Sequence, residues 1–285
     1  MSNPVNPPVW LVTGCSRGLG HALAARLLAH GHRVVATARR PETLAGLAAA
    51  YPGHCRTLPL DVTDPAQVTS SVHAAAAAFG QLDVVVNNAG YGLLGALEEV
   101  SEEQIARNFE TNFFGAVRVI RTALPILRAQ RRGHFVLISA AAAIANYPGF
   151  SIYGATKWAL EGVAESLAAE VRPCGLKVTI VQPGPFRTTF VGRSLEHAAS
   201  HQPDYDPTSG KFRQLLEKMD GTQPGDPDRA ADAIIAAVSA ERPPLRLVLG
   251  RYATDKLRRK LATATQELDL WSPTGLATEF PKEAT

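Results

Sequence analysis

The sequence predicts an α/β fold: a doubly wound, mainly parallel sheet with helices on both faces, in a single domain. Three observations carry this expectation. Short apolar runs alternate with longer amphipathic ones from residue 9 to about 182, the rhythm of strand and crossover helix repeated. Runs such as Val84-Val85-Val86 lack polar alternation, as strands buried on both faces do. The 285 residues, 46% hydrophobic and 19% charged, suffice for one large core, since domains of this class often reach roughly 250 residues.

The elements follow in order. A first strand is expected over Val9–Thr13, and the glycine-rich turn after it opens a helix over 18–30. Strand Arg33–Thr37, helix 41–50, strand Cys55–Leu60, helix 65–79 and strand Val84–Val86 continue the alternation. Ser101-Glu102-Glu103-Gln104 matches a capping box, so a fourth helix begins there and runs over 101–129. Strand His134–Ser139, helix 152–172 and strand Lys177–Val181 complete the regular part. The segment 185–226 breaks the rhythm with Pro203, Pro207, Pro224, Gly210, Gly221 and Gly225. It reads as an insertion over the sheet's carboxyl edge that carries a helix near 211–219. A helix at 227–240, a strand at Arg246–Leu249 and a helix at 251–264 close the domain. The domain thus spans 9–265, between a disordered N-terminus (1–8) and a loosely ordered tail (266–285). No internal repeat is present.

Bulk composition excludes several classes. The net charge is +3, and the basic runs Arg128–Arg132 and Lys256–Lys260 fall at helix ends or solvated faces, which disfavours a nucleic-acid partner. Cys15, Cys55 and Cys174 are odd in number and lack CxxC spacing, which disfavours a disulfide framework or zinc site and indicates a reducing compartment. Residues 1–8 lack the features of a signal peptide, and no apolar run reaches membrane-spanning length. A soluble, cytoplasmic protein is expected. His197 and His201 would share a helix face only if helical, and with no third ligand nearby a solvated loop is the better reading.

Gly14, Gly18 and Gly20 follow the first apolar strand and open a helix, in the stretch Thr13-Gly14-Cys15-Ser16-Arg17-Gly18-Leu19-Gly20. Residues without Cβ allow a tight turn and close approach of backbone to a pyrophosphate, and the helix start presents free N–H groups to that anion. This is the Rossmann-like arrangement for a dinucleotide. After the second strand the chain reads Ala36-Thr37-Ala38-Arg39-Arg40, with no carboxylate before Glu42. An acidic residue there would hold the ribose of NAD, whereas Arg39, with Arg17 opposite, suits a 2′-phosphate. NADP(H) is therefore favoured over NAD(H). The competing reading of Arg39 and Arg40 is a solvated helix start.

Tyr153 and Lys157 stand four apart in Tyr-Gly-Ala-Thr-Lys, so a helix projects both from one face. An ammonium beside a phenol favours the phenolate and can draw the tyrosine pKa down from about 10. The pair is a candidate proton donor and acceptor for an alcohol or carbonyl oxygen.

With these residues in hand, the chain resembles the short-chain dehydrogenases/reductases. Thr-Gly-x-x-x-Gly-x-Gly, Leu60-Asp61-Val62-Thr63, Asn87-Asn88-Ala89-Gly90, Tyr153-x-x-x-Lys157 and Pro183-Gly184 occur in family order over roughly residues 9–250. Tyr147-Pro148-Gly149-Phe150 and the residues after Lys157 are similar to the branch of hydroxysteroid and retinol dehydrogenases and bacterial ketoreductases. The resemblance implies that Asp61 and Val62 hold the adenine and that Asn88, Ala89 and Gly90 back a ribose. It implies that Lys157 also binds the nicotinamide ribose, and that Pro183, Gly184 and Thr188 fix the carboxamide. Asn112 matches an asparagine that holds a water against the lysine. A homodimer or homotetramer paired through the long helices is also implied.

One family residue is missing. The serine that hydrogen-bonds the substrate carbonyl lies thirteen residues before the tyrosine, where this chain has Ala140 in Ile138-Ser139-Ala140. Adjacent strand residues face opposite sides, so Ser139 could substitute only if a bulge re-aimed it. Three explanations stand: an engineered Ser→Ala variant, a natural enzyme with weakened chemistry, or a dinucleotide-binding protein that has lost catalysis. Retention of Tyr153, Lys157 and Asn112 argues against decay. Tyr91, Leu93, Leu94, Tyr147, Phe150, Phe186, Phe190 and Leu216 could line an apolar pocket, each with core packing as the alternative. As a group they favour a small-molecule substrate that is a hydrophobic, cyclic or bulky ketone or secondary alcohol, such as a steroid, retinoid or polyketide, over a sugar or small acid. The expected function is a reversible ketoreductase, with a non-catalytic NADP(H) sensor as the rival and an epimerase or dehydratase disfavoured.

Overall fold

The computed structural model describes residues 7–280. Of the expected N-terminal segment, 1–6 lie outside the described residues, as do 281–285 of the tail. In chain order the strands and helices begin with β1 (Val9–Val12), α1 (Gly18–Ala29), β2 (Arg33–Ala38), α2 (Ala45–Ala50), β3 (Cys55–Pro59), α3 (Pro65–Ala78) and β4 (Val84–Asn87). They continue with β5 (Gly92–Leu94), α4 (Glu102–Phe109), α5 (Gly115–Gln130), β6 (Gly133–Ile138), α6 (Ser151–Val171) and β7 (Leu176–Pro183). The last are α7 (Phe190–Arg193), β8 (Leu195–His197), α8 (Lys211–Met219), α9 (Pro227–Ser239), β9 (Arg246–Leu249) and α10 (Arg251–Leu276).

Seven strands form one parallel sheet in the order β3-β2-β1-β4-β6-β7-β9. Chain order reverses beside β1, so the crevice between the ends of β1 and β4 is the switch point where ligands of such sheets bind. Side chains alternate cleanly across the sheet. Leu11, Val35, Val85, Phe135 and Ile180 pack under α3, α5 and α6. Val12, Val34, Val86, Val136 and Val181 pack under α1 and α9. Both faces are dry, which is why these strands read as unbroken apolar runs. Asp64 and Asp226 cap α3 and α9 by accepting from backbone N–H groups, and Ser101 with Gln104 forms the expected capping box on α4.

Three elements depart from expectation. The helix foreseen over 101–129 is two helices joined by a π-helical turn, Glu110–Phe114, which buries Asn112. The insertion contains a strand, β8, that pairs in parallel with β5 as a second small sheet; three-residue strands are too short to show periodicity. The helix expected over 251–264 continues to Leu276, so the expected tail begins inside a helix. No glycine or proline interrupts residues 251–272, and nothing in the chain stops propagation there.

Candidate active site

β1 runs into Gly14, whose φ is +72° and whose Cβ, if present, would stand 2.9 Å from Ala89 Cα. Only glycine fits that approach. Gly18 has φ +62° and only Thr188 Cβ, at 3.8 Å, near the space its Cβ would fill. α1 begins there with no side chain capping its amides, which leaves donors and a positive dipole end for an anion. Gly20 plays another part: it lies off the cleft wall, where a Cβ would collide with the Asn88 side chain and sit 2.7 Å from Gly14 O. Asn88 Nδ2 donates to Thr13 O (2.8 Å) and Gly14 O (3.1 Å). Its amide thus ties the end of β4 to the glycine loop.

Ser16, Arg17, Leu19, Arg39, Asp61, Val62, Ala89 and Gly90 all reach one cleft of about 850 Å³ with Gly14 and Gly18. Arg17 and Arg39 are exposed on its rim, and neither has a carboxylate partner among the described residues. Asp61 Oδ1 accepts from Thr63 N (3.0 Å) and Thr63 Oγ1 (2.8 Å), which fixes the carboxylate at the cleft edge. An open glycine cradle, uncapped helix amides and exposed guanidinium groups fit a dinucleotide phosphate chain. Pro183, Gly184 and Thr188 line the same cleft, Thr188 beside Gly18.

Tyr153 and Lys157 project from the first two turns of α6 into this cleft, both buried. Lys157 Nζ donates to Ile138 O (2.9 Å) and lies 5.9 Å from the Tyr153 ring centre. The expected acidification of the phenol is not found. Burial pushes Tyr153 above its ordinary value and pulls Lys157 down to about 8. Desolvation disfavours both charged forms, and the ammonium is held against a carbonyl rather than against the phenol.

Asn112 is buried in the π-helical turn beside this pair. Its Nδ2 donates to Tyr91 O (2.9 Å), Thr156 Oγ1 (3.2 Å) and Asn108 Oδ1 (3.3 Å), and its Oδ1 accepts from Tyr91 N (2.9 Å). These bonds tie the amide to the Tyr91 backbone and to α6, and Asn112 Oδ1 and Lys157 Nζ both lie beside Gly90, 2.8 and 3.5 Å from where its Cβ would stand.

Ser139 and Ala140 divide as strand alternation requires. Ser139 Oγ donates to Glu161 Oε1 on α6 at 2.5 Å, while Gln182 Nε2 donates to both Glu161 oxygens (2.8 and 3.0 Å). Ala140 packs with Phe150 and Tyr153 instead. No bulge re-aims Ser139.

The apolar wall is partly as expected. Tyr91, Tyr147, Phe150, Phe190 and Leu216 line the cleft. Leu94 lies behind the wall, buried against Ala140, Phe150 and Tyr153, and Leu93 is buried in β5. Phe186 also lines the cleft, beside Pro185 and Gly184, and its backbone pairs with Gly225. Phe212, Leu215 and Met219 of α8 and Tyr252 of α10 also line the cleft, though the sequence reading did not select them. Phe212 stacks on Tyr147 with centroids 4.9 Å apart. Its spacing of four from Leu216 was a signal for it; Tyr252, remote in sequence, offered none.

The candidate histidines fall apart. His197 is in β8, while His201 lies 3.5 Å from both Glu99 and Asp206. Among the described residues no group of three His, Cys, Asp or Glu side chains could hold a metal, and no helix is long and apolar enough to cross a membrane.

The chain has known relatives. A family profile described as short chain dehydrogenase matches residues 8–199. The crystal structure of a short-chain dehydrogenase from Streptomyces avermitilis superposes with TM-score 0.91 at 42% identity, covering 96% of this chain and 100% of that one. Human retinol dehydrogenase 8 is 37% identical, over 84% of this chain and 80% of its own. An alcohol dehydrogenase from Thermococcus sibiricus, complexed with 5-hydroxy-NADP, aligns with TM-score 0.70 at 25% identity over 85% of this chain and 95% of its own. Glycine cradle, Tyr-x-x-x-Lys pair and whole-chain similarity agree: this chain is an oxidoreductase of the short-chain dehydrogenase/reductase family.

Proposed function

We propose that the protein uses NADP(H) to interconvert a hydrophobic ketone and its secondary alcohol. The observation that carries this reading is one continuous cleft joining the glycine cradle, Tyr153 with Lys157, and the aromatic wall. The bound dinucleotide supplies or accepts a hydride at its nicotinamide ring. Gly14, Ser16, Arg17, Gly18 and Leu19 would hold its phosphates, and Asp61, Val62, Ala89 and Gly90 its adenosine. Lys157, Pro183, Gly184 and Thr188 would hold the other half. Arg17 and Arg39 would take the 2′-phosphate as a bidentate pair.

The chain's own chemistry is proton handling. In the reducing direction the Tyr153 O–H bond breaks and its proton passes to the substrate oxygen, leaving a phenolate. Lys157, protonated below about 8, offsets that charge. Burial keeps Tyr153 protonated at neutral pH, the form that reduction needs. Asn112 fixes the Tyr91 backbone and Thr156 and would hold a relay water beside Lys157. Ala140 supplies no second donor to the substrate oxygen, so turnover is weakened. Tyr147, Phe150, Phe190 and Phe212 favour a bulky apolar substrate, in accord with the likeness to a protein named retinol dehydrogenase. Exposed Phe114 and Trp158 on the π-turn and α6 support pairing into a homodimer or homotetramer. Three free cysteines accord with the cytoplasm.

The alternative is a non-catalytic NADP(H)-binding protein, favoured by one observation: Ala140 faces the cleft while Ser139 is committed to Glu161. An assay of Ala140→Ser with NADPH and a panel of apolar ketones separates the two. Turnover that Tyr153→Phe then abolishes, with NADPH affinity retained, supports the enzyme. Tight NADPH binding without reduction of any ketone supports the alternative.

A further inference from the structure

α10 leaves the body of the protein. Its root is anchored, with Ala253 buried and Leu257 packed beside Ala141 and Ile144. From Arg258 to Leu276 every residue is exposed except Ser272, which is half-buried. That stretch extends about 28 Å at 1.5 Å per residue. A helix whose apolar residues are left in water lacks the main source of helical stability in proteins, the packing of an apolar face.

Such a face is present. Leu257, Leu261, Ala264, Leu268 and Trp271 recur at spacings of four, three, four and three, the a/d seam of a coiled coil. Leu261, Leu268 and Trp271 are 59%, 66% and 64% exposed. The seam is narrow, flanked by Arg258, Lys260, Thr265 and Glu267, unlike the broad apolar face of a helix lying on lipid. Leu270 falls on the opposite side. Charge is sorted along the axis as well. Arg258, Arg259 and Lys260 precede the middle of the helix, and Glu267 and Asp269 follow it. Arg258 is 3.9 Å from Asp255 within the helix; Arg259, Lys260, Glu267 and Asp269 have no ion-pair partner among the described residues.

We propose that this seam is an interface with a second copy of the chain, the two α10 helices packing antiparallel about a two-fold axis. Antiparallel packing sets the basic half of each helix beside the acidic half of the other, whereas parallel packing opposes like charges. The contact is isologous and closes at two chains. It is separate from any pairing through α5 and α6. The acidic half also weighs against an anionic membrane as the occupant.

The test uses the full chain carrying Cys174→Ser and Ala264→Cys, treated with a short bis-maleimide. A covalent dimer is expected, because residue 264 lies near the two-fold axis, and Leu261→Ser with Leu268→Ser should abolish it. Chains carrying Arg259→Glu with Lys260→Glu, or Glu267→Lys with Asp269→Lys, should each lose the cross-link, and mixing the two should restore it. These positions are exposed, so coenzyme affinity and melting of the body serve as controls. No cross-link, one that survives loss of the seam, or reversed chains that pair as well alone as mixed would overturn the proposal. Seam-dependent sedimentation with phosphatidylserine vesicles in place of cross-linking would overturn it in favour of a membrane.

Discussion

Ser139 Oγ donates to the buried Glu161 carboxylate at 2.5 Å, so the hydroxyl next to Ala140 is turned away from the cleft. The same carboxylate accepts from Gln182 and from Arg246 Nε at 3.3 Å. One side chain on α6 thereby clamps the ends of β6, β7 and β9 behind the helix that carries Tyr153 and Lys157.

Two neighbouring substitutions should therefore behave oppositely. Ala140→Ser adds a donor on the cleft side and should raise kcat for ketone reduction by about 10²-fold, the usual worth of one preorganised donor. Ser139→Ala should leave kcat nearly unchanged and lower stability by about 1–3 kcal/mol, because a buried carboxylate loses a partner. Steady-state kinetics with urea unfolding of both variants reads the contrast, and equal kinetic effects would refute it.

Coenzyme preference should follow the rim arginines. Arg39→Ala should raise KM for NADPH roughly tenfold to a hundredfold, the scale of one charged hydrogen bond, and leave KM for NADH little changed. Parallel titrations with both coenzymes check this; an equal rise for both would remove Arg39 from any phosphate site.

Lys157 titrates low for a lysine, from 10.5 in the unfolded chain to about 8 in the fold, because it is buried. The folded state therefore sheds its proton first as pH rises. Below about 8 both states hold the proton and the fold bears the full desolvation cost; between about 8 and 10.5 that cost is relieved and stability increases. Lys157→Met should be more stable than the parent at pH 7 and should lack this alkaline gain. Thermal melts across pH 7–10 measure it, and a parent curve that falls through the window contradicts it.

His134 is buried, bonded to Thr179 Oγ1 at 2.9 Å, and held down to about 4 by desolvation. The unfolded chain takes up a proton near 6.5 while the folded one does not until about 4, so stability is lost as pH falls through that interval. At about 1.4 kcal/mol per unit the loss is roughly 3 kcal/mol. His134→Gln should flatten this limb in urea titrations at pH 4–7; an unchanged slope would assign the acid sensitivity to other groups.

The sheet, its parallel crossovers and the glycine turn after β1 were legible from sequence because their signals are local. Val84–Val86 are buried on both faces, and Gly14 and Gly18 adopt positive φ at the tight turn between β1 and α1. The four-residue spacing of Tyr153 and Lys157 sufficed to put them on one face of α6. Strand alternation likewise separated Ser139 from Ala140.

What the local code could not decide was environment, which depends on groups brought together from distant parts of the chain. Desolvation by the closed wall, not the neighbouring ammonium, governs the Tyr153 phenol. Asn112 meets the Tyr91 backbone and Thr156 because a π-turn carries it there. Tyr252 reaches the cleft only because α10 starts beside it, and that helix outruns its expected end because nothing in its own residues stops it. Spacing is a property of the chain, whereas burial, field and hydrogen-bond partners arise only when the chain closes on itself.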